Sequence, residues 1–502
     1  MRRVVAFLCL VELTSGILQG YYTPILTDIA RHLGIHDADV NWFEAAQLTV
    51  SALAVPVLAK LGDMYGHRKI LLASTLVTAA ASWGVALAPD FWTFLAAWSF
   101  QGFYVVWLPL EIALIFSRVH QLPDGAARTR RAAGVLVGAL EAGVIAGALA
   151  AGVLVGALEA GVIAGALAAG ALVEVFAGQL QLVLLVPAVA VSACWFAVRF
   201  GVPESRERSG GRVDTRGFTL LAVGLLLITS GLTFMRLNGA GAWWPWALVG
   251  AGILVFIPFA RFELRQADPL VDIRMLRGKS IWPVQLTAGL FGVSVLGAQA
   301  PLSTFARTDP ALHGYGLGLR AGQVSIIIGV YVLALLVGAL LYPVVTRRLT
   351  PRWTLVGAAA LVGLGYLLFL PFHDSLVEAL ANMAIAGVGS GALVAALPSA
   401  AAAAAPLNRT AMATGLTNTT KTIGGAFASA VFGIALLSHV LADAGAGVGD
   451  SGQTAAPLVG YLTVWTICGV TGLAATAALM LVPRLAFSDP AAAAPRLPAG
   501  SH

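Results

Sequence analysis

Long apolar runs alternate with short polar breaks from one end of the chain to the other. The runs fall at about 4–26, 42–61, 70–88, 91–117, 132–175, 180–200, 217–237, 243–262, 281–303, 321–345, 353–371, 377–404, 412–439 and 457–483. A helix needs roughly 20 mostly apolar residues to cross the hydrocarbon of a bilayer. The pattern therefore predicts an all-α membrane protein with fourteen transmembrane helices.

The basic residues give the direction. With the N-terminus inside and the side alternating at each run, 26 of the 30 Lys and Arg fall on the inner face. Only Arg31, Arg236, Arg307 and Arg320 fall outside. Positive charge concentrates on the cytoplasmic side of membrane proteins, so both termini are expected in the cytoplasm and the chain in the cell's inner (plasma) membrane. Arg2 and Arg3 before an apolar run have the outline of a signal peptide. No small-residue cleavage site follows and many more runs do, so the first run reads as a span.

Composition narrows the function classes. Of 502 residues 59% are hydrophobic and 11% charged, against about 25% charged in soluble domains. That deficit, with a mean hydropathy of +0.86, excludes an ordinary globular enzyme. The basic residues punctuate the spans and form no patch, which excludes nucleic acid as a partner. Cys9, Cys194 and Cys468 lie inside apolar runs without disulfide or metal-ligand spacing. No phosphate-binding loop of the Walker type is present, so no cofactor is expected and an ion gradient is the expected energy source. The excess of Arg over Lys, with abundant Ala and Gly, suggests a GC-rich bacterial genome.

Residues 133–150 read AGVLVGALEAGVIAGALA, and residues 151–168 repeat them without a mismatch. One copy makes about five helical turns, ~27 Å, nearly one hydrocarbon thickness. The charge pattern on either side admits one span here, not two. The second copy is expected in the bilayer, because a short connector ties it to the next span. The first is expected to protrude inward or bend at its glycines. Glu141 and Glu159 are equivalent by the repeat, so at most one of them holds the membrane position.

Between the second and third runs stands LAKLGDMYGHRKILL, residues 58–72. Asp63 can accept hydrogen bonds at a helix end, Gly66 permits a tight turn, and Arg68 and Lys69 hold the loop on the cytoplasmic face. This loop resembles the signature of the major facilitator superfamily. Leu61, Asp63 and Gly66 match it, and Arg68 stands at the Lys position. Ala59, Met64 and His67 depart from it. The resemblance implies that Asp63, Gly66, Arg68 and Lys69 form a gating latch. Fourteen spans, the text around 203–221 and 262–276, and ATGLTNTTKTIGGAFASAVFG at 413–433 resemble the drug:proton antiporter branch. That implies two six-helix bundles, 1–200 and 281–484, two extra spans with their linkers in 201–280, and a disordered tail at 485–502. Trp98 stands where that family often carries a buried Arg. Ala148 or Ala166 stands where the antiporter signature expects a Pro.

An ionisable group at bilayer depth is by default a functional candidate. Glu12 lies about eight residues into the first span and Glu111 about six from the inner end of the fourth, both roughly 9–12 Å deep. Polar side chains recur at helical spacing around them: Glu12, Ser15, Gln19 and Tyr22; Gln101, Tyr104 and Glu111; and, in the second span, Glu44, Gln47 and Ser51. Glu12 is the expected proton site with Glu111 as partner. Gln19, Gln101, Tyr104 and Trp107 are the expected cavity wall. Lys421, with Asn418, is a strong cation deep in the second half, able to balance a carboxylate or bind an anionic substrate. These features point to proton-driven export of a drug or secondary metabolite by a monomer. The alternatives are a proton symporter or facilitator importing a small metabolite, and a non-transporting membrane sensor or assembly partner.

Overall fold

The computed structural model describes residues 2–119, 132–176, 178–204, 214–238, 241–266, 269, 271, 273–278, 281–404, 410–444 and 455–482. Residues 205–213 of the expected linker and the expected tail at 485–502 lie outside these.

The described residues form α-helices joined by 3-10 turns and short loops. In chain order these are α1 (Arg2–Tyr21), α2 (Leu26–Leu33), α3 (Asn41–Tyr65), α4 (His67–Leu87), α5 (Phe91–Gln101), α6 (Trp107–Val119), α7 (Ala132–Val175), α8 (Leu180–Gly201), α9 (Thr215–Asn238) and α10 (Trp243–Glu263). There follow α11 (Ile273–Leu276), α12 (Trp282–Val295), α13 (Gln299–Arg307), α14 (Pro310–His313), α15 (Ala321–Arg348), α16 (Pro351–Leu367), α17 (Leu376–Ala404), α18 (Thr410–Ala444) and α19 (Leu458–Met480).

Among the described residues, thirteen segments are long and apolar enough to cross a membrane, one fewer than the fourteen expected. The difference is the run at 353–371. It forms α16, only 17 residues long, which rises ~26 Å against a hydrocarbon core of ~30 Å. Two other runs are single spans broken in the middle. The run at 91–117 passes through a 3-10 turn at Gly102–Val106 between α5 and α6. There Ser51 on α3 donates to the Gly102 carbonyl at 2.8 Å, and a Cβ on Gly102 would stand 2.5 Å from the Gln47 carbonyl oxygen. The close approach of α3 accounts for glycine at that bend. The run at 281–303 divides into α12 and α13.

Two buried cores carry the packing. One is built almost wholly from α1 to α8, with Leu8, Phe94 and Trp107 at its centre. The other comes from α12 to α19, around Phe305, Phe369 and Trp465. Helices α9 and α10 pack side by side, and α9 lies against α3 and α18. The first part of the chain meets the second chiefly through α3 with α18 and α7 with α15, and also through α2 with α13.

The repeat forms one continuous helix, α7. The side chains of its first copy lie outside the described ones. The second copy packs along α1 through glycine on both surfaces. A Cβ on Gly16 would strike the Leu158 carbonyl, and one on Gly161 the Leu13 carbonyl. Gly20 and Gly165 extend the same seam one turn further. Helices packed without a hydrophobic driving force in lipid rely on such small-residue seams for backbone contact.

Candidate functional site

Helices α1 and α6 bring Glu12 and Glu111 face to face. Both side chains are fully buried. The two carboxyls lie within electrostatic range of each other, and none of their four oxygens has a hydrogen-bond partner of good geometry among the described residues. Cys194 on α8 and Cys9 on α1 are the nearest other titratable groups.

Further along α1 a small cavity opens, lined by Gln19, Tyr22, Glu44, Gln47, Tyr104 and Gln299 among others. Glu44 and Gln47 come from α3 and Gln299 from α13, so both parts of the chain contribute wall. Tyr104 lines this cavity and lies within electrostatic range of both Glu44 and Glu12.

Of the residues expected in the cavity wall, Gln19 and Tyr104 line it. Gln101 stands behind the wall. Its amide donates to the Tyr22 hydroxyl at 2.9 Å and to Ser82 Oγ at 3.0 Å, clamping α5 to the residue that follows α1 and to α4. Trp107 is fully buried and meets Tyr104 edge-on at 6.3 Å. Trp98 lies in an aromatic stack, with ring centroids 4.5 Å from Tyr22, 5.5 Å from Phe43 and 5.6 Å from Phe94. It gives the site bulk where a guanidinium would give charge. Sequence reasoning placed Glu44 and Gln47 on a polar face but left them out of the site. The polar spacing was the available signal, and only the meeting of α3 with α1 shows that this face turns inward.

The loop after α3 is tied down from two directions. His67 Nε2 donates to Asp63 Oδ1 at 3.1 Å. The Arg68 amide donates to Glu204 Oε1 at 3.0 Å, and the Arg68 guanidinium reaches the Arg199 carbonyl. Gly66 adopts φ +110°, and a Cβ there would stand 2.6 Å from Glu204 Oε1. The loop is thus fastened to the end of α8. Lys69 is exposed. Glu204 carried no signal in the sequence, since it follows an ordinary helix end far from the motif.

At the opposite end of the molecule the two parts of the chain are bonded together. Arg307 at the end of α13 pairs with Asp28 on α2 at 2.7 Å. Ser303 donates to the Thr23 carbonyl, and Ser325 on α15 donates to the Ala166 carbonyl on α7 at 2.6 Å. Deeper in, Lys421 on α18 and Glu159 on α7 lie in each other's electrostatic field. Among the described residues no group of three or more His, Cys, Asp or Glu could hold a metal ion.

A many-helix membrane bundle with two cores, and with acidic groups and polar walls buried between helices, defines a multi-pass transport protein, not a catalyst. The family model of the Major Facilitator Superfamily matches residues 8–429, and the chain belongs to that superfamily. It is similar to the cephamycin export protein CmcT of Amycolatopsis lactamdurans, 27% identical over 93% of this chain and 90% of the relative. It also resembles a probable actinorhodin transporter of Streptomyces coelicolor, 25% identical over 89% of this chain and 74% of the relative. A tetracenomycin C resistance and export protein of Streptomyces glaucescens is 23% identical over 80% and 70% of the two chains. Among solved structures, the fold matches the POT family transporter PepTSo with a TM-score of 0.65, at 13% identity over 97% of this chain and 98% of that one. It matches the human organic anion transporter MFSD10 with a TM-score of 0.58, at 14% identity over 95% and 99%.

Proposed function

We propose that this secondary transporter is a proton-driven exporter of an amphipathic drug or secondary metabolite, with Glu12 and Glu111 as its proton site. The carboxyl pair carries the reading. Two buried acids within electrostatic range of each other, with Tyr104 of the polar cavity close by, supply a site that can load and unload a proton as the cavity opens to either side. Uphill transport then comes from coupling that protonation to the alternating-access cycle.

The export direction draws support from the relatives, whose names describe cephamycin export, actinorhodin transport, and tetracenomycin C resistance and export. The fourteen-span antiporter reading draws support from the α9–α10 pair, which stands apart from both cores, and counts α16 as the fourteenth span. In this reading the protein is a monomer in the plasma membrane with both termini inside. Asp63, Gly66, Arg68 and Lys69 latch the inner face in one state of the cycle.

The test is transport by purified protein in proteoliposomes under an imposed pH gradient, with a panel of aromatic antibiotics. Uphill movement against the proton flow, abolished when the gradient is collapsed and in Glu12→Gln, is the expected result. Uphill movement in the same direction as the protons would replace export by symport. Unchanged gradient dependence in Glu12→Gln would remove the carboxyl pair from the mechanism.

A further inference from the structure

Glu44 is an acid that the Glu12–Glu111 pair leaves without a task. It stands on α3 within the second span, is only partly buried and lines the cavity. Among the described residues it makes no ion pair or hydrogen bond, and no Lys, Arg or His stands in the cavity wall. The other polar and aromatic residues of the wall are of two kinds. Tyr22, Trp98 and Tyr104 bring aromatic rings, and Gln19, Gln47 and Gln299 bring carboxamides. The Gln299 amide nitrogen is already donated to the Val295 carbonyl at 3.1 Å, which leaves its oxygen, an acceptor. The first part of the chain supplies most of this wall, and Leu296 and Gln299 of the second part complete it.

A net charge inside the membrane is costly. A carboxyl in an otherwise uncharged wall becomes neutral in one of two ways, by a proton or by a cationic ligand. A proton requires neither aromatic rings nor carboxamides. Both serve an organic cation, since ring faces attract an ammonium and amide oxygens accept its N–H groups. We propose that this cavity is the headgroup pocket of the substrate site and takes the ammonium of an amphipathic amine, with Glu44 as its counter-charge. The size suits a headgroup. The cavity measures about 40 Å³, room for about three waters at ~10–15 Å³ each, so a compact ammonium enters and the apolar body of the ligand does not. A carboxylate headgroup would meet Glu44 with like charge, and a neutral one would leave it uncompensated. Because both parts of the chain supply wall, the occupant touches both at once. This names the substrate class of the proposed exporter and rests on that reading only in assuming a transported amphipathic ligand.

The test is equilibrium binding to the full-length protein in a neutral detergent. Parent protein and Glu44→Gln are dialysed side by side, so that uptake of probe by micelles cancels. The probes share one frame, a naphthylbutyl group, that ends in an ammonium, a hydroxyl or a carboxylate. Near neutral pH the amine is charged. The ammonium is expected to bind the parent at least about tenfold more tightly than the alcohol or the carboxylate. In Glu44→Gln it is expected to fall to the affinity of the alcohol, whose own binding stays as in the parent. The inference is overturned if the alcohol or the carboxylate binds the parent as tightly as the ammonium. It is equally overturned if the preference survives in Glu44→Gln, or if no probe binds. Complete displacement of the ammonium by sodium would assign the pocket to an inorganic cation and overturn it too. Should Glu44→Gln fail to fold, Glu44→Ala decides on the same terms. The readout uses no gradient, so a failure of uphill export leaves it intact. Its own failure leaves coupling through Glu12 untouched.

Discussion

Glu12 on α1 and Glu111 on α6 are both fully buried within electrostatic range of each other, and none of their carboxyl oxygens has a hydrogen-bond partner among the described residues. The arrangement is poor for stability and useful for chemistry. A buried acid pair keeps desolvated polar groups that an apolar pair of similar size would not. Replacing buried charged sets by well-packed hydrophobic residues often stabilises a protein by about 1–4 kcal/mol. The double variant Glu12→Leu/Glu111→Leu is therefore expected to unfold at a higher temperature in detergent while gradient-driven transport is lost. A lower midpoint, or retained uphill transport, would show that the pair is a packing element.

The Asp28–Arg307 ion pair joins α2 to the end of α13 with the two side chains 21% and 11% exposed. It must part for that end of the molecule to open. Asp28→Asn is expected to shift the conformational balance toward the state open on that side. Exposed to mostly buried ion pairs range from ~1 kcal/mol upward, and 1.4 kcal/mol is a tenfold change in population, so a shift of about tenfold is expected. Cysteines introduced at cavity positions and labelled with a membrane-impermeant maleimide from that side would report it. Labelling rates equal to the parent protein would count against a gate there.

Gly66 combines a positive φ with a carboxylate of Glu204 where a Cβ would go. Gly66→Ala is expected to cost about 1–3 kcal/mol and to lower the unfolding midpoint. Glu204→Ala is expected to lower it less, since it removes the hydrogen bond to the Arg68 amide but adds no clash. The reverse order would mean that the loop is held by something other than this contact.

Deletion of residues 133–150 is expected to leave folding and transport intact. The two copies are identical and 18 residues long, which is about five whole turns, so the faces of α7 keep their phase across the junction. The residues that meet Gly16 and Gly20, from Leu158 to Gly165, remain in place. A stability change within ~0.5 kcal/mol is expected, read from the unfolding midpoint. A collapse in expression or activity would assign the first copy a role of its own.

Much of the protein was legible before any coordinates. Hydrophobic length marks spans because the bilayer has a fixed thickness, and run 132–175 coincides with helix α7 to the residue. The motif loop was legible as a turn because Gly66 and its neighbours carry local chemistry. The α16 helix is shorter than the apolar run that holds it, since hydropathy does not report where a helix ends within such a run.

What lay beyond the sequence was every relationship between helices. Two identical 18-residue copies offer the same glycines to α1, so periodicity cannot choose between them; packing brings Gly161 and Gly165, with Glu159 on the same copy, into the bundle. Glu44 and Gln101 looked alike as polar residues on helical faces, and one lines the cavity while the other clamps three helices behind it. The sequence alone determined a membrane-spanning helical transporter and its acidic candidates, because length and charge act locally against the bilayer. Only the tertiary structure decided that Glu12 comes beside Glu111, that Glu204 fastens the Gly66 turn and that Arg307 pairs with Asp28. Those contacts depend on how helices far apart in the chain rotate and pack.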